Sequence, residues 1–172
     1  MRELSTVLMR GGSSRGPVIL ADDLPADPVA RDAAVLRLLG GGAVQTDGLG
    51  GGTPTTSKVV VVKPSTDADG QIIEYAVGNV VVGFNQVDWS GTCGNMTAAV
   101  PLFVLEEGLI DAEAATSLRL RNLSTNGLVR AGVSDSASHR PGSEARISTD
   151  YLEPGGSLLK AVLPTGTALD RV

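Results

Sequence analysis

The chain has 172 residues, of which 42% are hydrophobic and only 3% aromatic, so it can form one ordinary domain with a core of aliphatic side chains. Its net charge of −5, with no basic cluster and few aromatic residues, argues against a nucleic-acid-binding protein. One cysteine excludes an internal disulfide framework, and the lack of a secretory signal pattern or of about 18 consecutive apolar residues predicts a cytoplasmic protein without a membrane span.

The first elements predicted along the chain are two strands joined by a turn. The apolar runs LSTVLM (4–9) and PVIL (17–20) are typical of strands. Between them, RGGSSRG (10–16) is rich in small residues that form hydrogen bonds, which favours a turn.

A helix is predicted over residues 27–40, because Asp27 can cap the first turn, Pro28 fits that turn and Gly40 fits the end. The apolar positions keep helical spacing, so the helix should be amphipathic; they are Val29, Ala33, Leu36 and Leu39. The glycine-rich stretch 40–57 that follows predicts a loop.

The next two segments predict a second pair of strands. KVVVVKP (58–64) is typical of a short strand that ends at Pro64, and QIIEYAVGNVVVGF (71–84) is typical of a long strand with a bulge at Gly78. The turn residues STDADG separate the two strands, so we expect a hairpin.

Residues 94–110 predict a second helix, which is apolar on nearly all sides and should therefore be buried. Pro101 should kink this helix or begin its regular part, and Gly108 should mark its end. Further strands are predicted at 117–123, 127–133, 144–149 and 157–163. The predicted fold class is α+β, with strands wrapped around the buried helix and the amphipathic helix outside.

The only cysteine, Cys93, lies where small residues meet the start of the buried helix. Backbone N–H groups are unpaired there and the helix dipole is positive, so a thiolate would be stabilised. The alternative is a buried cysteine that acts as a small hydrophobic residue. The adjacent amides of Gly94 and Asn95 could bind an anion or belong to an ordinary capped helix.

Lys58 opens the apolar strand that follows GGGTPTTS. A lysine beside buried surface can lose part of its hydration and act as a base, whereas the alternative is a strand-end lysine in solvent. This stretch is not a phosphate-binding P-loop, because no glycine precedes Lys58 and Val59 stands where a serine or threonine would hold magnesium.

Two further segments are candidates for a site. The turn 10–16 offers two arginines and two hydroxyls suited to a carboxylate, or it is an ordinary hairpin turn with exposed arginines. His139, the only histidine, lies in a polar loop and is expected to be solvated rather than paired with Cys93. One histidine and one cysteine make no usual metal-ligand cluster.

Five motifs together resemble the PrpF family of isomerases and tautomerases, which act on acids related to aconitate and oxalomesaconate. They are MRGGSSRG (9–16), QTDGLGGGTPTTSK (45–58), VDWSGTCGNMTAAV (87–100), FVLEEGLI (103–110) and LPTG (163–166). The resemblance implies a fold like that of diaminopimelate epimerase, with a strand barrel around a central helix. It also implies a cofactor-independent isomerase that removes a proton from a carbon allylic to a carboxylate and returns one two carbons away.

The resemblance further implies roles for individual residues. Lys58 and Cys93 match the lysine and cysteine that face the substrate in the family, and they are the expected catalytic residues. Loops of this kind hold the carboxylates, so the expected substrate-binding residues are Gly12, Ser13, Ser14, Arg15, Ser57, Gly94, Asn95 and Met96. No metal or cofactor is expected, and the expected ligand is a small polycarboxylate.

The sequence departs from the family pattern in two ways. Arg15 stands where the family usually carries lysine, so this position should bind a carboxylate rather than act as a base. The family's proteins have two such domains with the active site between them, and residues 1–172 correspond to the N-terminal one. We therefore expect an isomerase domain that is completed by a second domain or by a second copy of the chain, in a homodimer whose faces near Cys93 and Lys58 meet. The alternative is a catalytically silent domain or a carboxylate-binding module.

Overall fold

A computed structural model of the chain describes residues 3–41, 44–134, 144–155, 163 and 165–167. The strands in these residues are β1 (Val7–Gly11), β2 (Ser14–Leu20), β3 (Lys58–Asp67), β4 (Gly70–Val80), β5 (Val87–Asp88), β6 (Leu118–Asn122), β7 (Leu128–Ser134) and β8 (Arg146–Leu152). The α-helices are α1 (Pro28–Leu39), α2 (Gly94–Thr97) and α3 (Ala99–Glu106), and short 3₁₀ helices lie at Ala21–Asp23 and Ala114–Thr116. His139 and all but the last residue of the predicted strand 157–163 lie outside the described residues.

The strands form one mixed sheet. Its order is β1-β2-β3-β4-β6-β7-β8, and the short β5 pairs with β4. Neighbouring strands are antiparallel except for β2 with β3 and β4 with β6, which are parallel. A parallel pair needs a long crossover, and the first crossover contains α1 while the second contains α2 and α3.

The inner face of the sheet packs around α3, as the sequence predicts. Its core joins Val100, Phe103 and Val104 of α3 to buried residues of the strands, including Val60 of β3 and Leu120 of β6. Because α3 contacts β1 near one end of the sheet and β7 near the other, the sheet must curve around the helix. In the described part of the chain β1 and β8 remain unpaired edges, so the described strands form a half-barrel around the helix.

A second core lies on the outer face, between the sheet and α1. Val35 and Leu39 of α1 are fully buried there against aliphatic residues of β2, β3 and β4. The Asp27 side chain caps α1 and Gly40 ends it with a φ of 93°, as predicted. Val29 is 79% exposed, so its predicted place on the apolar face is wrong, because only the later turns of α1 face the sheet.

Trp89 closes the outer face beside α1. Its indole N–H donates to Oδ1 of Asp32 at 2.8 Å, and the Arg31 guanidinium lies over the ring, 4.4 Å from its centroid. The bulge predicted at Gly78 is absent, since Gly78 pairs regularly with Val59. The missing side chain instead makes room for the indole, because a Cβ on Gly78 would lie 2.9 Å from two atoms of its ring.

The second predicted helix is divided into α2 and α3. Pro101 lies in the first turn of α3, so it begins the regular part of the helix and does not kink it. Proline has no N–H to donate to the carbonyl of Thr97, and the break lies at this point. Gly108 follows the end of α3 with a φ of 67°. None of the described helices is long and apolar enough to cross a membrane.

The predicted strands differ from the observed ones mainly at their ends. β3 continues past Pro64 to Asp67, because β2 pairs only as far as Val62 and proline is tolerated where a strand is an edge. β4 ends at Val80, and the residues predicted to extend it form a turn that leads into β5.

An ion network ties the β3–β4 hairpin to β6. Asp67 accepts hydrogen bonds from Arg119 and Arg121, each at 2.8 Å, and its side chain is 16% exposed. The hydrogen bond from Arg119 is the main reason why the pKa of Asp67 lies below its usual value, although burial opposes the shift. Asp69 is more peripheral, since it lies 3.3 Å from Arg119 and is 82% exposed.

Asp67→Asn should lower the free energy of unfolding at neutral pH, because it removes the charge that both arginines share. A carboxyl group with a depressed folded-state pKa stabilises the fold above its ordinary pKa of 3.8 and loses this contribution as the pH falls through the folded-state value. Denaturant titrations should therefore show the full difference in the free energy of unfolding between parent and variant at neutral pH. This difference should shrink below about pH 4. Asp69→Asn is the control and should lower the free energy of unfolding by less. The prediction is contradicted if the two substitutions lower it equally at every pH.

Candidate active site

Polar side chains from distant parts of the chain meet at one end of the half-barrel, where β3 begins. The register sets Lys58 of β3 opposite Asn79 of β4. The pairing of β4 with β6 brings Asn122 to the same end, and the pairing of β7 with β8 brings Tyr151 there. We call this end the mouth; it comprises Ser13, Ser14, Lys58, Asn79, Asp88, Thr92, Cys93, Gly94, Asn95, Asn122 and Tyr151.

Lys58 faces the inner side of the sheet, because Val60, two residues further along β3, belongs to the inner core. Its Nζ donates to Oδ1 of Asn79 at 2.6 Å, and the residue is partly buried. Gly16 of β2 lies directly against it, since a Cβ on Gly16 would overlap the carbonyl oxygen of Lys58. The alternative of a strand-end lysine directed into solvent is therefore wrong.

Cys93 immediately precedes α2 and is partly exposed. Its Sγ lies 3.8 Å from Oγ of Ser14, so the thiol is located at the mouth. The same side chain packs against the inner core. The two hypotheses from the sequence thus both describe part of its surroundings, since the thiol contacts the core and remains accessible.

Asn95 joins the turn between β1 and β2 to α2. Its Nδ2 donates to Oγ of Ser13 at 2.8 Å and to Oγ of Ser14 at 3.3 Å. A Cβ on Gly11 would overlap the backbone carbonyl of Asn95, and one on Gly12, whose φ is 53°, would press on its side chain. Glycine at these two positions is what lets the turn and α2 approach each other.

The loop that leads into β3 is held from inside by Gln45. This residue is 2% exposed and adopts a left-handed φ of 54°. Its Oε1 accepts hydrogen bonds from the Gly52 N–H at 3.0 Å and from the Ser57 hydroxyl at 2.8 Å. Because Ser57 directly precedes Lys58, these bonds fix the backbone from which the lysine side chain starts.

Three of the predicted binding residues do not offer their side chains to the mouth. Arg15 alternates with Ser14 along β2 and lies on the outer face of the sheet. Met96 is fully buried in the inner core. Ser57 is 1% exposed, and its hydroxyl is engaged with Gln45. These three side chains therefore lie away from the mouth, because a motif alone does not reveal which face of a strand or helix each residue takes.

Sequence reasoning missed several polar residues of the mouth. Asn122 is 2% exposed, and its Nδ2 donates to Oγ1 of Thr92 at 3.1 Å. Asn79 and Asp88 stand opposite each other on β4 and β5, next to Lys58 in the same row of the sheet. The signal that could have found the two asparagines is a single amide near the end of the largely apolar inward-facing side of its strand.

The charges of the mouth are few. Lys58 and Asp88 are the members with a formal charge, and hydrogen bonds from the Ser90 side chain and backbone hold the pKa of Asp88 below its usual value. Asn79 stands between the two in the row. Among the described residues, no group of three or more histidine, cysteine, aspartate or glutamate side chains could hold a metal ion.

Comparison with known proteins gives the family. The whole chain, residues 1–172, matches the sequence model described as PrpF protein. The chain belongs to the PrpF family. It is 34% identical to the 3-methylitaconate isomerase of Eubacterium barkeri, over 95% of this chain and 46% of that protein. It is 35% identical to the 4-oxalomesaconate tautomerase of Pseudomonas putida, over 96% of this chain and 49% of that protein.

A solved structure supports the same assignment. The crystal structure of methylitaconate-delta-isomerase matches this fold with a TM-score of 0.81 at 34% identity, over 98% of this chain and 47% of that chain. The chain therefore spans about half the length of the PrpF relatives it matches. The resemblance drawn from the five motifs is confirmed, as is the mixed sheet around a buried helix.

Gly16→Ala should destabilise the protein, because the added methyl group would overlap the backbone of Lys58 and force β2 away from β3. An overpacked position of this kind typically costs about 1–3 kcal/mol. Gly91→Ala is the matched control, since no atom lies within 4 Å of a Cβ at Gly91. Thermal unfolding of the two variants tests the prediction, and equal melting temperatures would contradict it.

Proposed function

We propose that the mouth is one side of the active site of an isomerase that acts on an unsaturated di- or tricarboxylate. The observation that carries the proposal is the meeting of the Lys58 amine and the Cys93 thiol at the same end of the half-barrel. The names of the relatives support it, since they describe isomerisation of methylitaconate and tautomerisation of oxalomesaconate. The reaction of this chain is then a proton shift between two carbons of such an acid.

In the proposed mechanism, Lys58 acts as the base that removes a proton from a carbon allylic to a carboxylate. The electron pair of the broken C–H bond delocalises into a dienolate. Cys93 is the second acid/base or a positioning group, and as an acid it returns a proton two carbons away. The double bond moves, Lys58 and Cys93 reset by proton exchange with solvent, and no electrons are gained or lost. This chemistry requires no redox cofactor.

Binding of the carboxylates falls to neutral hydrogen-bond donors. Ser13 and Asn95 carry hydroxyl and amide groups at the exposed rim of the mouth, and the buried Ser14 hydroxyl lies next to them. The first amides of α2, at Gly94 and Asn95, have no acceptor within the helix and can donate to an anion. The Lys58 amine becomes positively charged only when it takes the proton from the substrate, and Arg15 is not needed because it belongs to the other face.

The proposal also covers the fold family and the oligomeric state of the chain. A half-barrel around a central helix is what one domain of a diaminopimelate-epimerase-like fold would supply, and its open mouth leaves room for a second side. Leu123, Leu128 and Leu152 are 53%, 37% and 42% exposed near this end, which favours a contact there. We propose that a second copy of the chain provides it by two-fold pairing.

Sedimentation at micromolar concentration tests the assembly. We expect a dimer, and Leu128→Glu should convert it to a monomer because the charge would be buried at the contact. Lys63→Glu, at an exposed position far along β3 from the mouth, is the control and should leave the dimer intact. A parent chain that sediments as a monomer of 17.6 kDa would refute the pairing.

Solvent deuterium incorporation tests the chemistry. With 3-methylitaconate or oxalomesaconate as substrate, Lys58→Ala should slow exchange by about 10²–10⁴-fold, the usual contribution of a general base. Cys93→Ser should slow it to a smaller or similar extent, whereas Lys63→Ala, a lysine on the exposed part of the same strand, should not.

Two outcomes would count against the assignment. If Lys58→Ala exchanges as fast as the parent, another group is the base. If the parent binds the acids without exchanging a proton, the second hypothesis holds, namely a carboxylate-binding module.

A further inference from the structure

Tyr151 stands at the mouth on the side opposite the serines. It pairs with Val129, a residue of the inner core, so it too faces inward. It lies near the end of β8, whereas Ser13 and Ser14 lie at the start of β2, towards the other end of the sheet. The residue is 37% exposed, so it is not sealed inside the inner core.

The Tyr151 hydroxyl is held over the start of α2. A Cβ built on Gly94 would lie 3.3 Å from the Tyr151 hydroxyl oxygen. The absence of a side chain at Gly94 therefore makes room for the hydroxyl. The Thr97 hydroxyl bonds to it, and Thr97 is itself 3.0 Å from both the Tyr75 hydroxyl and the Cys93 carbonyl oxygen. Tyr151 is thus positioned by the same turn of helix that positions Cys93.

The surroundings keep this hydroxyl protonated. Partial burial is the main reason why the pKa of Tyr151 is raised, and the neighbouring Tyr75 and Cys93 add to the shift while the bond from Thr97 opposes it. At neutral pH the group is therefore a hydrogen-bond donor. A neutral donor beside the Cys93 thiol suits an oxygen that carries negative charge.

We propose that Tyr151 is a substrate-binding residue whose hydroxyl donates a hydrogen bond to a carboxylate of the bound polycarboxylate, across Cys93 from Ser13 and Ser14. The inference rests on the proposed function, which it extends by giving the second carboxylate a partner. A di- or tricarboxylate has charged groups on both sides of the carbons that exchange protons, and donors on both sides of Cys93 match that spread.

The chain offers a matched control in its other tyrosine. Tyr75 is fully buried, and its hydroxyl shares Thr97 with Tyr151 but has no access to the mouth. Removing either hydroxyl disturbs the bonding of Thr97, yet only Tyr151→Phe removes a group that a ligand could touch. A comparison of the two variants therefore separates binding from structural support.

The experiment measures the affinity for tricarballylate, a saturated tricarboxylate with no double bond to shift, by calorimetry. We expect Tyr151→Phe to weaken binding about tenfold or more, as for a lost hydrogen bond to a charged group, and Tyr75→Phe to stay within about twofold. As a second readout, the ligand should slow alkylation of Cys93 by iodoacetamide in the parent and in Tyr75→Phe. In Tyr151→Phe the same protection should need about tenfold more ligand.

Three other results would overturn the inference, and they differ in their consequence for the proposed function. Unchanged affinity in Tyr151→Phe removes the role of Tyr151 and leaves the proposed function intact. Equal weakening in both variants has the same consequence, because the effect would then come through Thr97. A parent that binds no tricarballylate and gains no protection of Cys93 overturns the carboxylate site itself, and the inference with it.

Discussion

The site depends on two close approaches of backbone to backbone that only glycine permits. Gly11 lets the Asn95 carbonyl rest on β1, which sets the start of α2 against the first hairpin. Gly16 lets β2 lie on the Lys58 carbonyl, which sets the start of β3 beside the same hairpin. The thiol and the amine come from separate segments, and each is brought to the mouth by contact with this one turn.

The alternation of β3 between two cores makes the arrangement rigid. Val59 packs outward against the layer under α1, while Val60 packs inward against α3. A shift of β3 by one residue would exchange the two faces and direct Lys58 outward, so burial on both sides fixes its direction. Gln45 adds a third restraint through its bond to Ser57, just before the strand.

Local signals in the sequence were enough to predict the helices and most strands, and to single out Lys58 and Cys93 as candidates. α1 carries its own cap and stop, and Cys93 and Lys58 lie in short motifs that can be recognised without a structure. Pairing between distant strands has no local signal, so the arrival of Tyr151 at the mouth could not be predicted. Arg15 was misplaced because the turn is tighter than its composition suggests, and a difference of one residue selects the opposite face.

The sequence contains a single tryptophan, and its location has a spectroscopic consequence. The Trp89 indole is bonded to Asp32, covered by Arg31 and packed over Gly78, so it sits at the junction between α1 and the segment that leads to Cys93. Tryptophan fluorescence, excited selectively over the two tyrosines, therefore reports on that junction. Release of α1 from the sheet would change the Trp89 emission even while the inner core around α3 stayed intact. The tryptophan signal therefore follows the outer layer of the protein.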